Sequence, residues 1–184
     1  PDVIDVVGTG GDGVGTINIS TASAFVAASM GLKVAKHGNR AVSSKAGAAD
    51  LVEAAGIPLD LSPASSATLL ERTGFCFLFA QKYHPAMRYV APVRGALKNP
   101  TIFNLIGPLV NPAPLSYQVL GVGKPELLDV VAKALASLGL KHALVIHGSG
   151  TDEFAVHGPT EIREITPEGI ASFTLTPEEL GITP

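Results

Sequence analysis

The sequence predicts an α/β fold, a mostly parallel sheet flanked by helices. Short apolar runs rich in β-branched residues alternate with amphipathic stretches of ten or more residues, the pattern of parallel strands joined by crossover helices. Polar, glycine-rich turns follow several of those runs, where such sheets bind ligands, beyond the carboxyl ends of their strands. Hydrophobic residues make 46% of the 184, enough for one well-formed core.

Each element has a local reason. Val3 to Val7 is a β-branched run that stops at glycine and reads as a buried strand. Next, Phe25, Val26 and Met30 share a helical face within Ser20 to Met30, and Gly31 stands where a C-terminal cap belongs. Leu32 to Ala35 forms a short second strand, and Gly47 to Ala55 a helix ended by Gly56. Ser62-Pro63 supplies a cap and a first-turn proline for a helix running to Thr73. Phe75 to Ala80 is the next buried strand, followed by a mostly helical stretch from Pro85 to Leu97. A loop carrying Gly107-Pro108 and Asn111-Pro112 leads to a strand from Gln118 to Val122. Leu127, Leu128, Val131, Leu135 and Leu138 make Pro125 to Leu138 an amphipathic helix closed by Gly139, and Ala143 to Ile146 is a strand ending in His147-Gly148. Glu161 to Ile165 and Ser172 to Leu175 are short late strands, and Thr176 to Glu179 has the spacing of a capping box. With no internal repeat and no linker, residues 1–184 read as one domain. A chain that opens on Pro1 and is strand-like by Val3 reads as part of a longer one.

Composition excludes several functions. With 13 Lys and Arg against 16 Asp and Glu, the formal charge is −3, neither a disordered tail nor a basic nucleic-acid module. No apolar run approaches the roughly 20 residues that cross a bilayer. One cysteine cannot form an internal disulfide and no charged-then-apolar leader precedes Asp2, so the expected compartment is the cytoplasm. Cys76, among Phe75, Phe77 and Phe79, reads as buried and inert.

Three turns carry chemistry. Gly8-Thr9-Gly10-Gly11-Asp12-Gly13 leads through Thr16 to Asn18-Ile19-Ser20-Thr21 at a helix start. Glycines let backbone N–H groups approach an anion, and a helix N-terminus adds free donors. No Gly-Lys-Ser/Thr closes the run, so it is not a P-loop, and a plain structural turn is the competing reading. Lys36-His37-Gly38-Asn39-Arg40, with Ser43-Ser44-Lys45 behind it, sets cations and hydroxyls beside a glycine just past a strand; phosphate capture competes with a solvated loop. Asp152-Glu153, after His147-Gly148-Ser149-Gly150-Thr151, suits Mg²⁺, which takes few protein carboxylates and completes its shell with water and phosphate. Arg94 could clamp a carboxylate, although unaided it reads as a capping or solvated side chain; His84 and His142 read as ordinary histidines.

In order and spacing, Gly8 to Asp12, Asn18 to Thr21, Lys36 to Arg40, Phe103-Asn104 with Gly107-Pro108-Leu109 and Asn111-Pro112, and Asp152-Glu153 resemble anthranilate phosphoribosyltransferase along nearly the whole chain. The resemblance implies a nucleoside phosphorylase/phosphoribosyltransferase-type catalytic domain. Its implied reaction moves phosphoribose from 5-phosphoribosyl 1-diphosphate (PRPP) to the amino nitrogen of anthranilate in tryptophan biosynthesis, with Mg²⁺ as cofactor. By matching position it puts Gly8, Gly11, Asp12, Thr16, Asn18, Ile19, Ser20, Thr21, Lys36, His37, Gly38, Asn39, Arg40, Ala41, Val42, Ser43 and Ser44 at PRPP. Gly8, Asn39 and Arg94 fall at anthranilate, and Ser20, Asp152 and Glu153 at the metal. No general base is assigned. One departure stands out: the family's Gly-Ser-Ala-Asp reads Gly47-Ala48-Ala49-Asp50 here, which removes a hydroxyl at Ala48. The family adds a helical N-terminal domain and a C-terminal continuation and forms homodimers; neither nucleic acid nor membrane is an expected partner. The competing readings are a pyrimidine nucleoside phosphorylase and a PRPP-binding fragment without turnover.

Overall fold

The computed structural model describes residues 2–41, 46–97 and 101–183, without the side chains of residues 91, 93–95 and 97. One seven-stranded sheet organises them, in the order β3-β2-β1-β4-β5-β6-β7. The first five strands, β1 (Val3–Gly8), β2 (Lys33–Gly38), β3 (Phe75–Phe79), β4 (Tyr117–Gly121) and β5 (His142–Gly148), run parallel. The last two, β6 (Thr160–Thr166) and β7 (Gly169–Leu175), form an antiparallel meander at one edge. Among the described residues seven α-helices accompany them: α1 (Ile19–Ser29), α2 (Ala48–Ala54), α3 (Pro63–Thr73), α4 (Ala80–Tyr83), α5 (Met87–Leu97), α6 (Phe103–Ile106) and α7 (Leu128–Ala136).

Local chemistry sets the helix ends. The Ser62 hydroxyl accepts the Ser65 N–H, Pro63 occupies the first turn of α3, and Gly74 closes the helix at φ 77°. The Asp50 carboxylate accepts the Gly47 N–H at 2.8 Å at the start of α2. Thr176 and Glu179 make the reciprocal bonds of a capping box ahead of a short 3₁₀ turn.

Strand alternation divides the core in two layers. Val34, Phe75 and Phe77 pack with Ala24 of α1 and with Ala49 and Val52 of α2. Val3, Ala35, Cys76 and Leu78 pack on the opposite side, against Leu69 and Leu70 of α3. Leu120, Val122, Ala143 and Val145 meet α7 through Leu128, Val131 and Leu135. Cys76 is 2% exposed, and burial pushes its thiol up to about 12, which makes it unreactive.

Two differences from the expected elements matter for the site. β2 continues through Lys36-His37-Gly38, because His37 and Gly38 pair with Leu78 and Phe79 of β3. Lys36 and His37 therefore belong to a strand rather than a loop, and alternation aims them at opposite faces. Ala80 leaves β3 and opens α4, which carries Gln81 toward the end of β2. Among the described residues no helix is long and apolar enough to cross a membrane.

Candidate functional site

Parallel strands leave their carboxyl ends on one edge, and three of those ends meet there. The Gly8 end of β1 and the Gly121 end of β4 are neighbours, and β5 ends beside them at Gly148. The segment after β5 folds back over all three. A Cβ on Gly8 would come closer than 3.0 Å to the Asp152 carboxylate, one on Gly121 to the Asp152 carbonyl, and one on Gly148 to the Glu153 carbonyl. Glycine is required here because another chain segment occupies the space of a side chain.

That seating brings distant residues together. The Gly10 N–H donates to Asp152 Oδ2 at 2.7 Å across 142 positions of sequence. The Ser20 N–H, in the first turn of α1, donates to the Glu153 carboxylate. Asp12 stands beside Asp152, its Oδ2 buried without a hydrogen-bond partner. Lys36, 1% exposed, sends Nζ to the Val6 carbonyl at 2.6 Å and to Ser20 Oγ at 3.3 Å.

Electrostatics records the crowding. Burial, then Asp152, pushes the Glu153 carboxyl up to about 7 against the pull of Lys36. Burial also raises Asp152, opposed by the Gly10 N–H and reinforced by Asp12. Lys36 is lowered by burial, with Asp5 and Glu153 pulling it back. Three carboxyl groups, Asp12, Asp152 and Glu153, here face the single ammonium of Lys36 among the described residues, and a hard divalent cation with open positions fits them. Asp152 and Glu153 with the Ser20 hydroxyl are the residues able to hold it. Among the described residues no three His, Cys, Asp or Glu side chains form a metal-binding group. Mg²⁺ takes few protein carboxylates and accepts water and phosphate oxygens in its remaining positions.

Other expected residues divide among different roles. Gly11 and Thr16 are exposed along the glycine turn, and Ile19 opens α1. Asn18 Nδ2 reaches the Gly47 carbonyl at 3.4 Å, and Thr21 Oγ1 is buried without a partner. Asn39 Oδ1 accepts from the Arg40 N–H and from Gln81 Nε2. Arg40 turns to α2, bonding Asp50 at 2.9 Å and Glu53 at 2.8 Å and stacking over Phe79, while the Ala41 N–H donates to Asp50. Gly38 approaches Ala48 so closely that its Cβ would lie 3.1 Å from that of Ala48. Val42, Ser43 and Ser44 lie outside the described residues, as does the Arg94 side chain; the backbone of Arg94 belongs to α5.

His37 faces away from Lys36, toward two partners that local patterns could not announce. Its Nδ1 meets the Gly107 carbonyl at 3.2 Å, its ring meets His84 edge-on at 5.0 Å, and its Nε2 is buried without a partner. Burial, then His84, depresses its pKa to about 4, so the ring is neutral at physiological pH. Beneath the site, Asn111 Nδ2 bridges Asp5 and the Ala35 carbonyl, both at 2.8 Å, and ties the Gly107–Pro112 segment to the sheet.

Asp5 yields a test of this buried network. Burial raises its carboxyl from 3.8 to about 6, against the charge of Lys36 and the Asn111 amide. A raised acid holds its proton longer in the folded state. Its contribution to stability is therefore complete below the unfolded value and lost as pH climbs to about 6. Asp5→Asn is expected to remove that loss, about 3 kcal/mol across the window. Denaturant midpoints at its two ends measure it, and an unchanged slope in the variant contradicts the assignment.

Comparisons with known proteins agree with this geometry. The family model described as "Glycosyl transferase family, a/b domain" matches residues 1–184. Anthranilate phosphoribosyltransferase of Aeromonas hydrophila is 55% identical over 178 residues, 97% of this chain and 52% of its own length. The crystal structure of the Thermus thermophilus anthranilate phosphoribosyltransferase superposes with a TM-score of 0.91 at 51% identity, covering 98% of this chain and 54% of that one. The Saccharomyces cerevisiae enzyme in complex with PRPP and Mg superposes with a TM-score of 0.89 at 36% identity, covering 96% and 49%. The chain spans about half the length of the curated relatives it matches. With the family model matching from end to end, and relatives and solved structures similar along nearly all of the chain, the chain belongs to the glycosyl transferase family, as its a/b domain.

Proposed function

We propose that the complete protein transfers phosphoribose from PRPP to the amino nitrogen of anthranilate, releasing diphosphate, with Mg²⁺ as cofactor. One observation carries the reading: Asp12, Ser20, Lys36, Asp152 and Glu153, from three strand ends and a helix start, converge on one rim. Relatives bearing that enzyme's name, and a related structure containing PRPP and Mg, support it.

In such a transfer the bond from the sugar C1 to diphosphate lengthens before the weak amine bonds. Negative charge gathers on the leaving group, and stabilising it is the protein's task. Mg²⁺ bound by Asp152 and Glu153 beside Ser20 supplies neutralising charge for the phosphates. The Gly10 and Ser20 N–H groups are taken by Asp152 and Glu153, and the amides of Gly11 to Gly13 in the glycine turn offer directional donors to phosphate oxygens. Lys36 is a fixed charge beneath them, held by the Val6 carbonyl and Ser20 so that it needs no reorganisation. Arg94 is assigned to the carboxylate of anthranilate, which turns the amine toward C1. No general base is required, because an aromatic amine becomes acidic once it has attacked.

The test is an assay of the complete protein with PRPP, anthranilate and Mg²⁺, against thymidine or uridine with free phosphate. Phosphoribosylated anthranilate supports the reading; nucleoside cleavage alone, or PRPP binding without product, overturns it. Arg94→Ala is expected to raise the KM for anthranilate about 10- to 100-fold with that for PRPP unchanged, the loss of a charge-assisted contact. An unaltered anthranilate KM and kcat/KM would reject the role of Arg94.

A further inference from the structure

We infer that His147 is a positioning residue for the Asp152-Glu153 pair, a neutral bracket that sets the turn joining β5 to those carboxylates. The inference rests on reading Asp152 and Glu153 as metal residues. His147 lies at the end of β5, 7% exposed, and its ring nitrogens bond backbone groups rather than either carboxylate. Its Nδ1 meets the Val122 carbonyl, beyond β4, at 2.8 Å. Its Nε2 accepts the Gly150 N–H at 3.3 Å. An imidazole nitrogen that accepts carries no proton, so the proton sits on Nδ1, where it is donated to Val122. One ring thus ties a neighbouring strand's exit to the tip of the turn.

That turn needs external support. Ser149 has φ 44° and Gly150 φ 94°, the left-handed region, and Ser149 is the one described non-glycine residue with positive φ. Reciprocal backbone bonds between Gly148 and Thr151, and a 2.8 Å bond from Thr151 Oγ1 to the Gly148 carbonyl, close it. Ser149 Oγ donates to the Pro159 carbonyl at 2.8 Å. Among the described residues only His147 hydrogen-bonds the tip to the β4 side, where the Asp152 backbone fills the space above Gly121. Tilting the turn would move both carboxylates away from the N–H groups of Gly10 and Ser20 that receive them. Loss of a group that orients metal ligands from behind typically weakens metal binding by about 10- to 100-fold.

Two substitutions separate the bonds. His147→Asn keeps an N–H near the Nδ1 position and loses the acceptor for Gly150; His147→Gln keeps an acceptor near the Nε2 position and loses the N–H for Val122. The complete protein is titrated with Mn²⁺ in the presence of PRPP, free ion being counted by electron paramagnetic resonance, and Mg²⁺-dependent turnover is followed in parallel. The Asn variant is expected to bind Mn²⁺ about 10-fold or more weakly and to need correspondingly more Mg²⁺ at an unchanged anthranilate KM. The Gln variant, which keeps the bond to the tip but releases Val122, should also bind Mn²⁺ more weakly, because the bracket needs both ends. Wild-type Mn²⁺ affinity in either variant, or a loss matched by an equal rise in the anthranilate KM, overturns the inference. A measurement on the unaltered protein guards against misfolded variants. The ¹⁵N spectrum of His147 must show the Nδ1–H tautomer, and a protonated Nε2 at pH 7 overturns the bracket. Wild-type protein that neither binds Mn²⁺ nor responds to Mg²⁺ sinks the metal reading and this inference together; metal-dependent wild type with an unaffected Asn variant sinks only this one.

Discussion

Replacing Asp152 and Glu153 together with alanine is expected to lower Mg²⁺-dependent turnover of the complete protein by a factor on the order of 10³ or more, the scale of lost electrostatic stabilisation at a leaving group. Stability should not follow activity down. Both carboxylates are raised above their usual range, chiefly by burial and further by nearby acids, so the fold carries them at a cost in their charged form. Their removal forfeits the bonds from Gly10 and Ser20 but relieves the crowding with Asp12. The thermal midpoint is therefore expected to stay level or rise while turnover disappears. Rates over a Mg²⁺ titration and calorimetry of the same preparations measure both halves. A double variant that keeps its rate would place the metal elsewhere, and one that simply melts would make the pair structural.

Gly121→Ala should damage the same site without touching an acidic group. The new Cβ would lie closer than 3.0 Å to the Asp152 carbonyl, a backbone atom that cannot swing aside as a long side chain would. The segment after β5 must lift, taking Asp152 from the Gly10 N–H and Glu153 from the Ser20 N–H. Turnover is expected to fall by roughly 100-fold, since misplacement on the order of 1 Å has that effect. Overpacking should cost about 1–3 kcal/mol of stability. Gly139→Ala is the matched control: with φ 74° and open space around it, it strains the backbone by about 1–2 kcal/mol and leaves the site alone. Equal activity in the two variants would mean that the close approach at Gly121 is unimportant.

Much of the scaffold was legible residue by residue. Ser62-Pro63 opens α3 and Thr73 ends it as expected, Thr176 and Glu179 form their box, and Leu128, Val131 and Leu135 bury the face of α7 that their spacing implies. Such features depend on neighbours three or four positions away, and the chain displays them directly. The end of β2 was not legible in this way. Lys36-His37-Gly38 has the composition of a polar loop, and only pairing with β3, together with hydrogen bonds for the buried ammonium, makes it strand. Arg40, read as a phosphate cation, is held by Asp50 and Glu53, partners on a helix whose orientation local patterns do not reveal. His84 looked ordinary until the fold set its ring against His37, 47 positions earlier.

By itself, the sequence determined the layered α/β architecture and the kinds of chemistry available, because periodicity, caps and glycine turns act over short range. Tertiary structure alone decided which of those groups work together. Asp152 receives a proton donor from Gly10, Glu153 one from Ser20, and Lys36 is buried between opposing charges, because parallel pairing gathers remote strand ends on one edge. Burial then alters the acidity of each group by amounts that depend on which others were brought there, a quantity that exists only once the chain has folded.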